Sequence, residues 1–360
     1  EMKKKILVVD DSALMRRVLC DIIDSDERFE VVDKANNGLM AFDLLSRKTY
    51  DAVVLDVNMP KMDGLQLLQE LRKYKIPAKI MMASTDTSEG AQTTLDALDY
   101  GALDFIHKPD NASDCRVDIF QKRLLGILEL VVNSNLTNLD SVQKQEESLA
   151  EVKQAVETVK KRAVKEGESK IVAIASSTGG PKALQAVIPR LPADLKAPVL
   201  IVQHMPKGFT ASLAERLDAL SQLSVVEASE GDVLEVGKVY IARGGMHMNV
   251  ITRADGQCEI HYSDEPAREG VKPCANYMYE SLLNSDFDEI TCVVMTGMGC
   301  DATAGIKNLA TSKQLHVIAQ DEASSVVYGM PKSIVNAGLS NQVVPLEQIA
   351  REIILNVGVK

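Results

Sequence analysis

Short apolar runs rich in β-branched residues alternate with amphipathic segments through the first 110 residues. The runs cover 6–9, 30–33, 52–55, 79–83 and 104–107, each too short for a helix. Five strands with helices between them predict a doubly wound parallel sheet, because parallel neighbours are joined by helical crossovers. In such sheets the chemistry gathers at the carboxyl ends of the strands. Asp10 and Asp11 follow the first run, Asp56 the third, Ser84 the fourth and Lys108 the fifth.

A second α/β alternation begins after Lys170, with strands near 171–175, 199–203, 239–242, 248–252, 290–295 and 317–320. Helices open near Pro181, Phe209, Ala275, Ala302 and Tyr328, which again predicts a doubly wound domain with a mostly parallel sheet. The β-rich stretch 225–265 fits a hairpin or an antiparallel edge. Between the halves, 133–170 has neither proline nor aromatic residue, and Lys, Glu, Gln and Ser dominate from Ser141 onward. Val142, Leu149, Val156 and Ala163 recur every seven residues, with Val152 and Val159 at the complementary spacing. That pattern predicts a solvated, partly helical linker rather than a dimer zipper. The expected division is a first domain at 1–125, a linker at 126–168 and a second domain at 169–360.

A chain of 360 residues has room for two domains of ordinary size. Its hydrophobic fraction of 46% and charged fraction of 25% are those of a globular protein. No run approaches the ~20 apolar residues of a membrane span, and the run 6–9 is too short for a signal peptide. A cytoplasmic protein without direct membrane insertion is therefore expected. The net charge of −11 argues against a nucleic-acid surface. Cys20, Cys115, Cys258, Cys274, Cys292 and Cys300 show no C-x-x-C pair and no metal-ligand spacing, so reduced, mostly buried thiols are expected.

Three carboxylates at neighbouring strand ends repel one another and call for a cation. Mg²⁺ suits hard oxygen ligands and would let one aspartate attack a phosphoryl group. Asp56 is the candidate for that role, with Lys108 pairing with the phosphoryl group and Ser84 hydrogen-bonding it. Taken alone, Asp10 and Asp11 read as a helix N-cap. The segments VVDDSALMR, DAVVLDVNMPKMDGL and DFIHKP, however, resemble the response-regulator receiver family over roughly the first 120 residues. The resemblance implies Mg²⁺ held by Asp10, Asp11, Asp56 and the backbone carbonyl of Asn58, with Asp56 as phosphoacceptor. It also implies Ser84 as the switch hydroxyl, Phe105 as the switch aromatic, Lys108 beside the phosphoryl group, and a cis bond before Pro109.

In IVAIASSTGGPKAL, residues 171–184, a strand run breaks into a small-residue turn and a helix follows at once. The turn sets the Ser177 hydroxyl against backbone N–H groups able to stabilise an oxyanion. A phosphate fits the same cradle, although neither G-x-G-x-x-G nor the P-loop pattern is present, and a purely structural turn is an equal reading. A seryl nucleophile needs a base and an orienting carboxylate. His204 ends the run 199–203, and Asp301 follows the loop TGMGC, so both sit at strand ends like Ser177. The plain alternatives are a satisfied strand-end histidine and an aspartate that caps a helix. Nothing in the charge pattern singles out Cys300 as a nucleophile, and no spacing makes His204 and His247 metal ligands. The chain order Ser, His, Asp differs from that of the α/β hydrolases.

SSTGGP, VQHMP and TGMGCD resemble three signatures of the chemotaxis protein-glutamate methylesterase family, CheB. With the receiver in front, the resemblance covers essentially the whole chain. It implies Ser177 as nucleophile, His204 as general base and acid, Asp301 as orienting carboxylate, and an oxyanion hole from the Met298 N–H with Thr178. The implied reactions are hydrolysis of glutamate methyl esters on methylated chemoreceptors and deamidation of glutamines there, with no cofactor for the esterase. A chemotaxis histidine kinase is the implied phosphodonor, and phosphorylation of Asp56 the signal that uncovers the site. The chain departs from the family at Ala175 and Ser176 for Gly-Ala, at Cys300 and Ala302 flanking Asp301 for Asn and Gly, and at Arg243 for a proline. Ser176 leaves two adjacent hydroxyls as nucleophile candidates, of which the S-T-G-G alignment favours Ser177. The alternatives are a phospho-switched adaptor that binds receptors without turnover and a nucleotide-binding effector.

Overall fold

The five apolar runs of the first half form five parallel strands in the computed structural model, which describes residues 2–84, 88–111, 115, 118–140, 145–161 and 167–360. Two units divide the chain, Glu1–Gln143 and Lys144–Lys360. In the first, β1 (Lys4–Val9), α1 (Ala13–Asp24), β2 (Phe29–Ala35), α2 (Gly38–Arg47) and β3 (Ala52–Asp56) are followed by α3 (Gly64–Lys73), β4 (Ile80–Ser84), α4 (Ser88–Asp99), β5 (Asp104–His107) and α5 (Asp118–Asn133). The sheet order is β2-β1-β3-β4-β5. Strands β3 and β4 are buried at every position, the reason they read as unbroken apolar runs. The order reverses between β1 and β3, so a crevice opens at their carboxyl ends, where Asp10 and Asp56 lie.

Helix α1 is capped by Ser12, whose hydroxyl accepts the Met15 N–H at 3.2 Å, so neither Asp10 nor Asp11 serves as that cap. Asp63 and Gln66 form a capping box at the start of α3. A Cβ on Gly64 would lie 2.3 Å from the Asp56 carbonyl oxygen, so the loop after β3 closes only with glycine there. The expected boundary at residue 125 falls inside α5. The bond between Lys108 and Pro109, expected cis, is trans; Lys272–Pro273 is the one cis bond among the described residues.

The second unit starts with α6 (Gln145–Lys161), β6 (Lys170–Ser176), α7 (Gly180–Val187), β7 (Val199–Gln203), α8 (Phe209–Leu220), β8 (Ser224–Glu227), β9 (Lys238–Ile241), β10 (His247–Thr252) and β11 (Cys258–Ser263). It continues with α9 (Ala275–Ser281), β12 (Glu289–Val294), α10 (Thr303–Leu309), β13 (Gln314–Gln320), α11 (Met330–Asn336), β14 (Gln342–Val344) and α12 (Leu346–Val357). Seven strands in the order β14-β13-β12-β6-β7-β9-β8 are parallel throughout. The β-rich stretch supplies a separate antiparallel hairpin of β10 and β11. Burial of β6, β7 and β12 is nearly complete and centres the core on the strands that carry the candidate site.

Part of the expected linker does not stay solvated. Helix α6 packs on α12 and buries Val152, Ala155 and Val159, a three-and-four spacing in place of the seven-residue frame. Leu149, a member of that frame, is 50% exposed. Val142 and Ala163 lie outside the described residues.

Candidate active site

At the carboxyl edge of the first sheet, Asp10, Asp56 and Lys108 are buried and Asp11 is exposed. The Lys108 ammonium sits 2.8 Å from Asp56 Oδ1 and 3.0 Å from Asp10 Oδ2. Burial raises the Asp56 carboxyl to about 6, with Lys108 opposing the shift and Asp10 adding to it. Burial also works against the charge on Lys108, yet Asp56 and Asp10 hold its pKa above the ordinary value. One oxygen from each of Asp10, Asp11 and Asp56 lies within 4.8 Å of the others. A single lysine against three carboxylates leaves excess negative charge, and the donor set fits a hard divalent cation. Asn58 is exposed in the loop after β3, and Phe105 is buried in β5. Ser84 is fully buried at the end of β4, where its carbonyl accepts the Lys108 N–H at 2.6 Å.

In the second unit the ends of β6 and β7 are in register at Ser176 and Gln203, and the His204 N–H donates to the Ser176 carbonyl at 3.1 Å. Ser177 therefore leaves the sheet beside His204. Its own N–H donates to the Thr296 carbonyl at 3.0 Å, beyond the end of β12. The chain then turns through Gly179 at φ +77°, where a Cβ would also strike Val326, and enters α7. Three adjacent strand ends thus converge on Ser177.

His204 Nε2 and Asp301 Oδ2 are 2.7 Å apart. The other ring nitrogen, Nδ1, is buried and has no hydrogen-bond partner among the described residues. Also among these residues, no hydrogen bond joins Ser177 Oγ to His204. Asp301 is 1% exposed. It accepts the N–H groups of Ala275 at 2.6 Å, Ala302 at 2.8 Å and Asn276 at 2.9 Å, and the Cys274 thiol at 3.1 Å. Burial works against the charge, but the hydrogen bond and charge of His204, the Ala275 N–H and the Cys274 thiol outweigh it and hold the carboxyl below its ordinary range. Asp301 does not cap α10; Ala302 occupies that position at φ +83°.

Of the two adjacent hydroxyls, Ser176 is fully buried and donates to Gln203 Oε1 at 2.6 Å. Ser177 is partly exposed. A Cβ on Gly297 would lie 2.7 Å from Ser177 Cβ, which brings the Met298 backbone alongside Ser177. The N–H groups of Thr178 and Met298 have no backbone partner among the described residues. The Thr178 carbonyl accepts the Thr296 hydroxyl at 2.9 Å.

His247 is buried, its Nδ1 accepting the Cys274 N–H and its Nε2 facing the Pro266 carbonyl. Burial holds its pKa low, and the two bonds fix a neutral ring, so it shares no metal with His204. The exposed Cys300 thiol is held above its ordinary pKa by the hydrogen bond to Glu269 and by burial, which works against a thiolate. Arg243 donates its N–H to Tyr262 Oη at 2.9 Å, a bond that a proline there is unable to make. Gln203, Cys274 and Asn276 were not expected to join the site; adjacency to His204 in VQHMP was a signal for the first, and nothing local marked the other two.

A CheB methylesterase model matches residues 172–353, and a response regulator receiver domain model matches 6–119. The chain belongs to the CheB methylesterase family. It is similar to the protein-glutamate methylesterase/protein-glutamine glutaminase of Geobacillus kaustophilus, 39% identical over 354 residues that cover 98% of this chain and 99% of that protein. The Bacillus subtilis protein of the same name is 40% identical over 359 residues, 97% of each chain. The crystal structure of the Thermotoga maritima CheB methylesterase catalytic domain matches with a TM-score of 0.51 and 38% identity, over 53% of this chain and 100% of that one. No helix among the described residues is long and apolar enough to cross a membrane.

Proposed function

We propose that Ser177, His204 and Asp301 are the catalytic triad of a phosphorylation-regulated methylesterase and glutaminase acting on methylated chemoreceptors in the cytoplasm. The observation that carries this reading is the His204–Asp301 hydrogen bond of 2.7 Å, which leaves Nδ1 buried and, among the described residues, unpartnered at the strand end next to Ser177. A neutral imidazole that donates through Nε2 has its lone pair on Nδ1, the nitrogen needed to accept the seryl proton. Ser177 Oγ attacks the glutamyl ester carbonyl as its proton passes to His204. The N–H groups of Thr178 and Met298 receive the developing oxyanion. Collapse expels methanol, which takes the proton from His204. A water then gives a proton to His204 and attacks the acyl-enzyme, releasing the glutamate side chain and restoring Ser177. With glutamine as substrate the leaving group is ammonia.

Asp56 is the phosphoacceptor in this reading, with a chemotaxis histidine kinase as donor. Asp10, Asp11, Asp56 and the Asn58 carbonyl would hold Mg²⁺, which when bound neutralises phosphoryl oxygens. Lys108 pairs with the phosphoryl group, while Ser84 and Phe105 are the residues through which its arrival is sensed. The adaptor reading is not favoured, since the chain matches the methylesterase family model and its similar full-length relatives carry the methylesterase name. Methanol release from methylated receptor tests the proposal. Wild type should release methanol, Ser177→Ala should not, and Asp56→Ala should lose the stimulation by phosphodonor. Absence of release from phosphorylated wild type would overturn it.

A further inference from the structure

We propose that Ser176 and Gln203 are a positioning pair that sets the placement of Ser177 relative to His204; the inference rests on the triad reading above. Gln203 is 2% exposed and ends β7, directly before His204. Its amide nitrogen donates to the Ser177 carbonyl at 2.9 Å and to the His204 carbonyl at 3.3 Å, so one group bridges the backbones of nucleophile and base. Ser176 donates its hydroxyl to the amide oxygen at 2.6 Å, while the two carbonyls, which only accept, fix the NH₂ as the end that faces the triad. A flipped amide would set its NH₂ against the Ser176 hydroxyl and its oxygen against two carbonyls.

The surroundings are built around this amide. A Cβ on Gly180 would lie 1.9 Å from Gln203 Oε1 and 3.0 Å from Ser176 Cβ, so a side chain at the first residue of α7 would displace the amide. The Ser177 carbonyl also accepts the Gly180 N–H at 2.7 Å. It therefore keeps a partner if Gln203 is lost, and the Gln203 bond is not needed merely to satisfy that carbonyl. What the amide adds is a rigid distance between two strand ends whose side chains must meet during the reaction. Displacement of a reacting group by about 1 Å lowers a rate on the order of 100-fold, so even a small slip here is measurable.

The decisive experiment uses the full-length S176A/Q203M variant. Exchanging both partners for apolar groups leaves no stranded side-chain hydroxyl or amide, and the one backbone group that loses its donor, the His204 carbonyl, gives up only the longer bond of 3.3 Å, so the fold is expected to hold. Two readouts are taken: kcat and KM for methanol release, and the rate at which a fluorophosphonate probe labels Ser177, which is independent of the receptor substrate. The expected result is a fall in kcat and in labelling of roughly 10–100-fold, with KM within about twofold of wild type. Wild-type kcat and labelling in the folded variant would overturn the proposal, as would a rise in KM alone, which would make Gln203 a substrate-binding group. If the double variant does not fold, S176A alone decides: a fall in labelling of a few-fold supports the pair, and an unchanged rate overturns it. A wild type that is labelled at Ser177 but releases no methanol would refute the substrate assignment and leave the positioning result readable.

Discussion

Replacing Asp301 by asparagine separates the two tasks of its carboxylate. Oδ1 accepts from the Asn276 and Ala302 N–H groups and the Cys274 thiol, whereas Oδ2 accepts from the Ala275 N–H and pairs with His204. The single oxygen of asparagine keeps the first set and turns the amide nitrogen toward Ala275 and His204. One buried backbone donor is then stranded, a loss of roughly 1–3 kcal/mol. The amide also donates to His204 Nε2, which moves the imidazole proton onto Nδ1, where Ser177 needs an acceptor. A histidine held in the wrong tautomer lowers turnover by about 10⁴, equivalent to about 5 kcal/mol of barrier. Asp301→Ala strands three N–H groups and should lose about 3 kcal/mol or more of stability. The sign of the pH effect follows from the depressed carboxyl: its contribution is complete above the unfolded pKa of about 3.9 and is lost as pH falls toward the lower folded value. The stability gap between wild type and D301N should therefore narrow below about pH 4. Urea unfolding at neutral and acidic pH measures the gap, and methanol release measures turnover. A folded D301N that turns over within tenfold of wild type would show that Asp301 does not set the histidine tautomer.

Asp56→Asn should abolish phosphate incorporation from a small phosphodonor while leaving fluorophosphonate labelling of Ser177 in the unphosphorylated protein unchanged; phosphate found elsewhere by mass spectrometry would move the acceptor. Chelation of divalent cations should stop phosphate incorporation, since one lysine does not balance three carboxylates, yet leave that labelling intact. Metal-dependent labelling would contradict a triad that works without a metal. Gly180→Ala places a Cβ 1.9 Å from Gln203 Oε1 and should destabilise the second unit by about 1–3 kcal/mol while slowing labelling. An unchanged thermal midpoint would mean that the Gln203 amide moves aside freely.

The central strands were legible because burial on both faces turns them into unbroken apolar runs, as at 52–56 and 199–203. The edge strands β8 and β14 were not, since strands of four and three residues with exposed positions carry no period to read. In α6 the apolar residues support two seams, and only the partner α12 selects 152, 155 and 159. The candidate site was legible as three strand ends because parallel sheets gather chemistry there. Its supporting shell was not. Ala275 and Asn276 reach Asp301 from 26 and 25 residues earlier in the chain, and only the packing of α9 against α10 brings them together. Ser176, an ambiguity in the sequence, is the hydroxyl that Gln203 engages.

The load on Asp301 and the lack of load on Ser177 bear on how an inactive descendant would look. A lineage that kept this domain only as a docking module would still need the aspartate, because the start of α9 is tied to it. The Ser177 hydroxyl, by contrast, holds no hydrogen bond among the described residues, so the fold would survive its replacement by alanine. Decay of function should thus be written first at position 177 and last at 301, and a relative that retains the aspartate reveals less about its chemistry than one that retains the serine.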